Sequence, residues 1–383
     1  MIISHLKLKN WRNFREADVP LGRRVFLIGP NASGKSNFLD IFRFLRDIAK
    51  PGGGLQKAVE DRGGISKIRC LAARKEPQVE IGVELAESFE KEILWKYEIG
   101  IKQQPSGYRR PYIEYERVWK YGKLILDRPK EEDKTDLLRK SQTHLEQIVA
   151  NDKFREIADY FENIFYMHLI PQLLRNPETF AGSISINDPF GRGFLEKVAR
   201  TPGRTRRSRL RRIEKALQLA VPQLKQLTDT KDDRGVPHLE AVYEHWRPKA
   251  GKQSEEEFSD GTLRLIGLLW TLIEGDSLLL IEEPELSLHS GIISKLPGLF
   301  WRIQNKKKRQ IIISTHSSDL LSDKQIGGEE VLMLIPDVEG TKVELASNNK
   351  EVRLLIEKGL SIGEASLPRT EPKEIRQLSL FDG

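Results

Sequence analysis

The sequence predicts an α/β fold with a mixed sheet, flanking helices and an antiparallel meander beside the sheet. Short apolar runs, VFLI at residues 25–28 and LLLI at 278–281, are typical of buried parallel strands, and a segment with helical spacing follows the first run. Two further segments, 78–101 and 112–126, alternate apolar and polar residues, as antiparallel strands with one solvated face do.

The composition is that of a globular protein with more than one domain. With 383 residues, of which 38% are hydrophobic, the chain exceeds the roughly 250 residues at which a single core stops growing. Every apolar run is far shorter than the ~20 residues that cross a bilayer, and the single cysteine, Cys70, favours a reducing compartment. We therefore expect a cytoplasmic protein without a membrane partner. The net charge of +7 allows a nucleic-acid partner without requiring one.

A first lobe is assigned to residues 1–130. Its opening alternates apolar and polar residues and turns at 10–13, which predicts an antiparallel strand, and VFLI then predicts a central strand. From Ser36 the apolar residues have helical spacing until the sequence PGGG at 51–54 ends the helix. The two alternating segments complete this lobe as a meander.

The remaining chain divides into three parts. Residues 131–254 are highly charged and mostly helical in pattern, which predicts an inserted helical subdomain. Residues 255–347 return to strands and helices, with one helix near 289–305 and a final hairpin, and predict a second lobe that completes the same sheet. Residues 348–383 form a charged tail that contains proline.

The sequence GPNASGKS, at residues 29–36, lies between VFLI and a predicted helix, the context in which G-x-x-x-x-G-K-[ST] binds nucleotide phosphates. Backbone N–H groups of such a loop point at the β-phosphate, so Gly29 and Gly34 leave room for their approach. Lys35 supplies compensating charge, and Ser36 is placed to ligate Mg²⁺. The residues expected to contact ATP are Gly29, Pro30, Asn31, Ala32, Ser33, Gly34, Lys35, Ser36 and Asn37.

Two carboxylates, Glu282 and Glu283, end the apolar strand LLLI, at the edge where ligands of open α/β sheets bind. We expect Glu282 to hold Mg²⁺ through water and Glu283 to orient or deprotonate the attacking water. The alternative is a pair of solvated acids at a helix start. His316, after the strand IIIS, could donate to the γ-phosphate and sense its loss, although a lone histidine is more often a capping or core residue.

A short turn, FSDGT at residues 258–262, precedes the acidic strand and opens a predicted helix, where Ser259 is a good N-cap. With the phosphate loop, the acidic pair and the histidine, this turn also resembles the signature of the ABC-type ATPase heads of the SMC, Rad50 and RecF group. Ser259 and Gly261 match that signature, and Asp260 replaces a common glycine.

The resemblance implies an ABC-ATPase head that a second copy completes. In that group the signature caps the γ-phosphate of the nucleotide bound by the opposing subunit, so Ser259, Asp260 and Gly261 would contact ATP in trans. A head-to-tail homodimer held by ATP, or a higher oligomer, is therefore implied.

A closer resemblance is to stand-alone, AAA_21-like ATPases whose acidic strand has the sequence LIEEPELSLH, including the ATPase half of OLD-family nucleases and many bacterial anti-phage ATPases. Glu282, where many ABC proteins have Asp, is common in this subgroup and implies slow turnover. Since no acidic nuclease segment follows His316, a nuclease would be a separate effector chain. The candidates for the lid glutamine are Gln172, Gln78 and Gln104.

The stretch RTPGRTRRSRLRRIEK, at residues 200–215, carries eight basic side chains and one acid. A solvated helix face is the usual fate of a charge run, but here the basic groups outnumber nearby acidic partners. We expect salt-dependent binding to DNA phosphates without base readout, and the lack of aromatic residues argues against stacking on single strands. The candidates are Arg204, Arg206, Arg207, Arg209, Arg211 and Arg212.

The chain ends in RQLSLFDG, which is either docked on the body or free. The pentapeptide QLSLF, at residues 377–381, resembles the segment with which bacterial replication and repair proteins bind the sliding clamp. The resemblance implies an extended tail in an apolar groove of the clamp. Its contact residues would be Gln377, Leu378, Leu380 and Phe381.

Three functions are compatible with these features. We expect an ATP-hydrolysing, DNA-associated switch in repair or anti-phage defence, in which ATP closes a dimer and hydrolysis releases the DNA or partner. A nucleotide-binding regulatory scaffold that holds an effector protein is the alternative. The motor subunit of a membrane transporter is a third, disfavoured by the long charged insertion, the meander and the unplaced lid glutamine.

Overall fold

A computed structural model gives the structure of the chain. It describes residues 1–74, 76–88, 91–105, 107, 109–176, 188–244 and 251–371. The clamp-like pentapeptide at residues 377–381 lies outside this part of the chain. Two compact units are formed: the first is Met1–Ile164, Ser277–Leu280 and Lys308–Gly383, and the second is Phe165–Asp276 and Ile281–Lys307.

The described residues form fifteen strands and thirteen α-helices. The strands are β1 (Ile2–Trp11), β2 (Phe14–Pro20), β3 (Arg24–Ile28), β4 (Val79–Ala86), β5 (Ile93–Gln103), β6 (Pro111–Lys120), β7 (Lys123–Arg128), β8 (Phe165–Met167), β9 (Leu224–Lys231), β10 (Pro237–Tyr243), β11 (Lys252–Ser254), β12 (Leu279–Glu282), β13 (Ile311–Ser314), β14 (Val331–Asp337) and β15 (Gly340–Leu345). The helices are α1 (Lys35–Ala49), α2 (Leu55–Glu60), α3 (Ile65–Ile68), α4 (Glu131–Thr135), α5 (Arg155–Glu162), α6 (Pro171–Arg175), α7 (Phe194–Arg200), α8 (Gly203–Ala220), α9 (Asp260–Ile273), α10 (Ser290–Ile293), α11 (Leu296–Lys307), α12 (Lys350–Glu357) and α13 (Ile362–Ser366).

The first unit contains the expected meander and a mixed sheet. The meander has the strand order β2-β1-β4-β5-β6-β7 and is antiparallel throughout. The mixed sheet has the order β15-β14-β3-β13 and continues into the start of β12, with β3 parallel to both β13 and β14. Every residue of β3 and β13 is buried, as their apolar sequences predict. The prediction of a mixed sheet beside a meander is confirmed.

The second unit contains a sheet that the sequence pattern did not predict. Strands β9, β10 and β11 form an antiparallel sheet within residues 131–254, which we expected to be mostly helical. Helices α7 and α8 have the expected helical structure, whereas β8 and the three strands from Leu224 onward do not. In β9 only Leu224 and Leu227 are buried, at a spacing of three, so the strand lacks the alternation that marks a half-buried strand.

Two smaller differences concern helices near the carboxyl end. The single helix expected near residues 289–305 is two helices, α10 and α11. The charged segment after residue 348 forms α12 and α13, whose apolar side chains Val352 and Ile362 are buried. Within the described ranges, no helix combines the length and apolar character that crossing a bilayer requires. Cys70 is buried, as expected of a core residue.

Candidate functional site

The phosphate loop of the first unit connects β3 to α1. Gly34 is the N-cap of α1 with φ of +98°, and Ala32 has φ of +62°. Asn31, Ala32 and Ser36 are exposed, whereas Ser33 is buried. Backbone in the left-handed region next to a helix start turns successive N–H groups toward one concave surface. The loop therefore presents the start of a 15-residue helix to solvent.

The Asn13 side chain holds this loop in place. Its Nδ2 atom donates to the carbonyl oxygen of Ser33 at 2.8 Å and to Oγ1 of Thr341 at 2.7 Å. Thr341 Oγ1 itself donates to the same Ser33 carbonyl at 2.9 Å, and Asn37 Nδ2 donates to Asn13 Oδ1 at 2.8 Å. The turn after β1 and the hairpin of β14 and β15 thus fix the loop from both sides.

A phosphate group fits this loop. A Cβ atom on Gly34 would lie 2.1 Å from Asn13 Nδ2, and one on Gly29 would lie 2.5 Å from Ser33 Oγ, so both positions require glycine. Ser33 Oγ is buried and has no hydrogen-bond partner within the described chain. A helix start with an orphaned hydroxyl beside it is a set of donors that suits an anion. The exposed Ser36 hydroxyl of this loop is an oxygen ligand of the kind that Mg²⁺ prefers.

The remaining loop residues have defined positions. Lys35 is 7% exposed, and its Nζ atom donates to the carbonyl oxygens of Gly29 at 3.0 Å and Pro30 at 3.1 Å. The ammonium group therefore lies over the start of the loop. Asn37, which is also expected to contact ATP, donates a hydrogen bond from its side-chain amide to Asn13 Oδ1. This contact supports the loop, and a direct contact of Asn37 with ATP stays a prediction.

Two buried carboxylates fix helix α1 behind the loop. Asp40 accepts from Arg12 Nη2 at 2.7 Å and from Arg62 Nη2 at 2.9 Å, and Asp47 accepts from the same Arg62 Nη2 at 3.0 Å. Burial alone would raise the pKa of Asp47, but the charge of Arg46, a hydrogen bond from Lys50 and the charge of Arg62 lower that pKa to about 2. The ionised form is the one that the fold stabilises.

His316 lies at the same sheet edge as the phosphate loop. Strands β3 and β13 run parallel, with Ser314 opposite Leu27, and Thr315 N donates to Leu27 O at 3.1 Å. Two residues beyond this pair, β3 reaches Gly29 and β13 reaches His316, which is exposed. Both groups therefore lie at the carboxyl ends of neighbouring strands, as their sequence positions after two apolar runs predict.

In the second unit, a tyrosine contacts the first residue of the acidic pair. Strand β8 lies beside the end of β12, and the Tyr166 hydroxyl donates to Glu282 Oε2 at 2.5 Å. Tyr166 is 4% exposed, so its hydroxyl has a fixed position. Tyr166 could not be identified from the sequence pattern, because a three-residue strand carries no periodic signal.

Glu283 has an unusual backbone conformation. Its φ is +46°, a left-handed value that costs a residue with a Cβ atom about 1 kcal/mol or more. Its carbonyl oxygen accepts from Leu286 N at 3.3 Å and starts a series of turns that leads to α10. Strained residues of this kind occur often where a side chain must be aimed, which agrees with the catalytic role expected of Glu283.

The signature turn is an N-cap, as its local sequence predicts. Ser259 Oγ accepts from Thr262 N at 3.2 Å and lies 2.9 Å from Thr262 Oγ1. Gly261 lies against the turn after the acidic strand, because a Cβ atom there would be 2.5 Å from the carbonyl oxygen of Ser287. The start of α9 and the segment that follows Glu283 are therefore in direct backbone contact.

Asp260 makes two contacts to helix α6. Gln172 Nε2 donates to its Oδ2 at 2.9 Å, and Arg175 Nη2 lies 2.6 Å from its Oδ1. Arg175 also donates to the carbonyl oxygen of Phe258 at 2.5 Å. Gln172, a candidate lid glutamine, thus contacts the signature turn of its own unit, and its lid role stays a prediction.

The arginine candidates on α8 divide into two sets. Arg206 and Arg209 serve the fold: Arg206 pairs with Asp229 at 3.0 Å, and Arg209 pairs with Glu274 at 3.2 Å and lies over the Trp270 ring. The other four are exposed and have no ion pair among the described residues. These exposed candidates are Arg204, Arg207, Arg211 and Arg212.

Comparison with known proteins defines the class. Residues 24–323 match the family model AAA_21, described as "AAA domain, putative AbiEii toxin, Type IV TA system". This match covers more than half of the 383-residue chain. The chain belongs to the AAA_21 family, and its fold is that of an SMC/RecF-like ABC-type ATPase, as the sequence resemblance implied.

Individual relatives are similar to the chain either at low sequence identity or over a short segment. The DNA replication and repair protein RecF of Gloeobacter violaceus is 25% identical over 347 residues, which cover 88% of this chain and 85% of that protein. RecF of Brucella abortus (strain 2308) is 45% identical over 60 residues, so this chain spans only 15% of the length of that relative.

Among solved structures, the SMC head bound to the C-terminal winged-helix domain of ScpA is similar, with 13% identity, a TM-score of 0.49, and coverage of 90% of this chain and 97% of that one. The SMC head domain of Thermotoga maritima is similar as well, with 12% identity, a TM-score of 0.48, and coverage of 90% and 99%.

Proposed function

We propose that the protein binds and hydrolyses ATP with Mg²⁺ and that ATP closes a head-to-tail dimer. The observation that carries the proposal is the phosphate loop. It contains two glycines, a helix N-cap with a left-handed backbone and a buried lysine, in the order that nucleotide binding requires. Membership of an AAA-domain family supports nucleotide use.

In this proposal each polar group has one task. Lys35 and the N–H groups at the start of α1 bind the phosphates, and His316 donates to the γ-phosphate from the neighbouring strand end. Ser36 and Glu282 hold Mg²⁺, which when bound neutralises charge on the β- and γ-phosphates. Glu283 orients or deprotonates the attacking water. The strained backbone of Glu283 supports a positioned carboxylate.

The signature turn acts in trans. Ser259, Asp260 and Gly261 open a 14-residue helix, and a helix start with free N–H groups attracts an anion. The terminal phosphate of a nucleotide held by a second copy is that anion. Because two equivalent sites are formed, ATP stabilises the closed dimer by mass action.

Light scattering of the Glu283→Gln variant with and without ATP tests this proposal. Slowed hydrolysis traps the closed state, so we expect a monomer without nucleotide and a dimer with ATP. Lys35→Ala in the same background is the control and should stay monomeric, since it cannot hold the phosphates. A Glu283→Gln protein that remains monomeric at saturating ATP would contradict the dimer.

We further propose that the protein associates with DNA through the exposed basic face of α8. Arg204, Arg207, Arg211 and Arg212 have no competing carboxylate among the described residues, so they can release counterions from phosphates. RecF, to which the chain is similar over most of its length, is named as a DNA replication and repair protein. The switch then operates on DNA in repair or in anti-phage defence, in the cytoplasm.

A separate effector chain is the second part of the proposal. The family description refers to a toxin and a toxin–antitoxin system, which favours a partner protein. If the chain is a regulatory scaffold, ATP binding suffices, and a Glu283→Gln variant keeps its biological effect in cells. If it is a hydrolysing switch, the Glu283→Gln variant loses the effect. Lys35→Ala, which cannot hold the phosphates, should lose the effect whether the chain is a scaffold or a switch.

The tail proposal stays separate from the head. We propose that QLSLF, at residues 377–381, binds the bacterial sliding clamp through Leu380 and Phe381. Pull-down of the clamp by the full chain, compared with a Leu380→Ala, Phe381→Ala variant, tests it. Equal recovery of the clamp by both proteins would refute the proposal.

A further inference from the structure

Arg264 is a buried cation on the signature helix. It lies on α9 four residues after Asp260, one helical turn from the signature, and its side chain is 7% exposed. Its Nε atom is buried without a hydrogen-bond partner, and no ion pair engages its guanidinium group within the described part of the chain. Buried guanidinium groups in native proteins are normally paired with an anion.

Three carboxylates lie near enough to act on the charge of Arg264, but within the described ranges none of them forms an ion pair with it. Burial lowers the pKa of its guanidinium below the usual value, and the negative charges of Asp260, Glu283 and Glu285 act in the opposite direction. The side chain nevertheless keeps its charge, because an arginine cannot be deprotonated near neutral pH. A charged group without a hydrogen-bonded counter-ion is therefore retained beside the signature.

The carboxylate nearest in sequence is already committed. Both oxygens of Asp260 have partners, since Gln172 donates to Oδ2 and Arg175 contacts Oδ1. Arg175 also neutralises the charge of Asp260. The signature turn itself therefore gives Arg264 no ion pair, and Glu283 and Glu285 act on it only at longer range.

We propose that Arg264 binds the terminal phosphate of the ATP that a second copy of the chain presents to the signature turn. This inference rests on the proposed ATP-dependent dimer and adds a residue to its anion site. The N–H groups at the start of α9 would donate to one side of the phosphate, and the planar guanidinium would donate two hydrogen bonds to another. Binding then gives the buried cation its missing partner, so closure of the dimer relieves an unfavourable state of the free protein.

A role of Arg264 in ligand binding predicts an unusual effect of its substitution on the melting temperature. Arg264→Met keeps an unbranched chain of similar length and removes the charge, so the nucleotide-free protein should melt at an equal or higher temperature. The same substitution should raise the ATP concentration that half-saturates dimer formation by about tenfold or more. Arg264→Lys keeps the charge without the planar guanidinium group. The ATP concentration that half-saturates its dimer formation should lie between the values for the wild-type residue and for Arg264→Met.

The experiment uses light scattering and thermal unfolding of the full chain in the Glu283→Gln background. The ligands are ATP, ADP, and ADP with inorganic phosphate. The matched control is Arg209→Met, which removes a half-buried arginine that is paired with Glu274 and packed on Trp270. This control should lower the melting temperature of the free protein and leave the ATP concentration for dimerisation unchanged.

The outcomes separate this inference from the proposal on which it rests. If Glu283→Gln itself does not dimerise with ATP, the dimer and the role of Arg264 both fail. If that protein dimerises and Arg264→Met dimerises at the same ATP concentration, only the role of Arg264 fails. A lower melting temperature of free Arg264→Met would identify a structural arginine and overturn the inference. Closure by ADP with inorganic phosphate would assign Arg264 to free phosphate instead of ATP.

Discussion

The hydroxyl of Tyr166 donates a hydrogen bond of 2.5 Å to Oε2 of Glu282. Tyr166 is nearly fully buried on β8, and Glu282 is the last residue of the neighbouring strand β12. A carboxylate that accepts a hydrogen bond from a fixed phenol has fewer orientations open to it. Partners of this kind, one step removed from a metal ion, commonly set the affinity of a site for its metal.

Tyr166→Phe should therefore raise the Mg²⁺ concentration that supports half-maximal ATP turnover by about tenfold, because Glu282 loses the hydrogen bond that orients it. Maximal turnover at saturating Mg²⁺ should change less. A Mg²⁺ titration of the ATPase rate, together with metal-dependent nucleotide binding, measures the effect.

A matched control is Tyr115→Phe, which also removes a hydrogen bond from a tyrosine to a glutamate, since Tyr115 donates to Glu80 at 2.8 Å in the meander. It should leave the Mg²⁺ dependence unchanged. Identical Mg²⁺ titrations for the wild-type protein and Tyr166→Phe would refute the positioning role.

Gly261→Ala should disturb the signature turn. The new Cβ atom would lie 2.5 Å from the backbone carbonyl oxygen of Ser287, so the turn has to shift, at a cost of about 1–3 kcal/mol of unfolding free energy. ATP-dependent dimerisation should weaken as well. Chemical denaturation and light scattering measure the two effects.

Gly298→Ala provides the comparison, because its Cβ atom would meet nothing nearer than Arg302 Nη2 at 3.9 Å. In that helical position alanine should be neutral or stabilise the protein by up to about 1 kcal/mol. If both alanine variants were equally stable and equally competent to dimerise, the close approach at Gly261 would be irrelevant.

Arg207→Gln combined with Arg211→Gln should weaken DNA binding and reduce its salt dependence. Both side chains are exposed on α8, and each DNA phosphate that the variant no longer neutralises should reduce the slope of log K against log salt by about 0.9. Fluorescence anisotropy of labelled duplex DNA over a salt series measures that slope.

The control for this charge change is Lys350→Gln with Arg353→Gln, two exposed basic residues of α12. These substitutions remove the same charge from another surface and should leave the slope as it is. A slope that falls equally in both double variants would show that only net charge matters.

Asp47→Asn should destabilise the protein in a pH-dependent way. The pKa of Asp47 is lowered from 3.8 to about 2, so its ionised form stabilises the fold above the unfolded-state pKa and this stabilisation is lost as the pH falls from about 4 to 2. The difference in unfolding free energy should be about 2 kcal/mol at pH 7 and shrink over that window. Denaturation at a series of pH values measures it.

Asp127→Asn is the comparison for that series, because the Asp127–Arg117 pair is exposed and should contribute less than about 1 kcal/mol. If the cost of Asp47→Asn were the same at pH 7 and at pH 2, the stabilisation would not come from the ionised carboxylate.

The parts of the site that could be predicted from the sequence are those formed by residues close together in the chain. The phosphate loop needs two glycines, a lysine and a serine at set spacing, and the buried strand β12 delivers Glu282 and Glu283 to its own carboxyl end. Each of these features depends on residues within one loop or one strand. A local pattern is therefore sufficient to identify them.

The parts that sequence missed depend on distant contacts. Tyr166 reaches Glu282 across 116 positions, and Arg175 reaches Phe258 of the signature turn across 83. Arg264 was visible in FSDGTLRL but its burial was not, because a charged residue on a helix is expected to face water. Strand β9 was missed because its two buried leucines are three residues apart.

The Thr341 contact to the phosphate loop also bears on biosynthesis. Asn13 and Thr341 both donate to the Ser33 carbonyl oxygen, so the loop receives the support of Thr341 only when that residue has left the ribosome and β15 has folded. A nascent chain that already displays the nucleotide-binding sequence would lack this support for the loop until Thr341 has emerged. Nucleotide binding would then be delayed until the hairpin of β14 and β15 emerges. Incompletely synthesised chains would therefore bind little nucleotide.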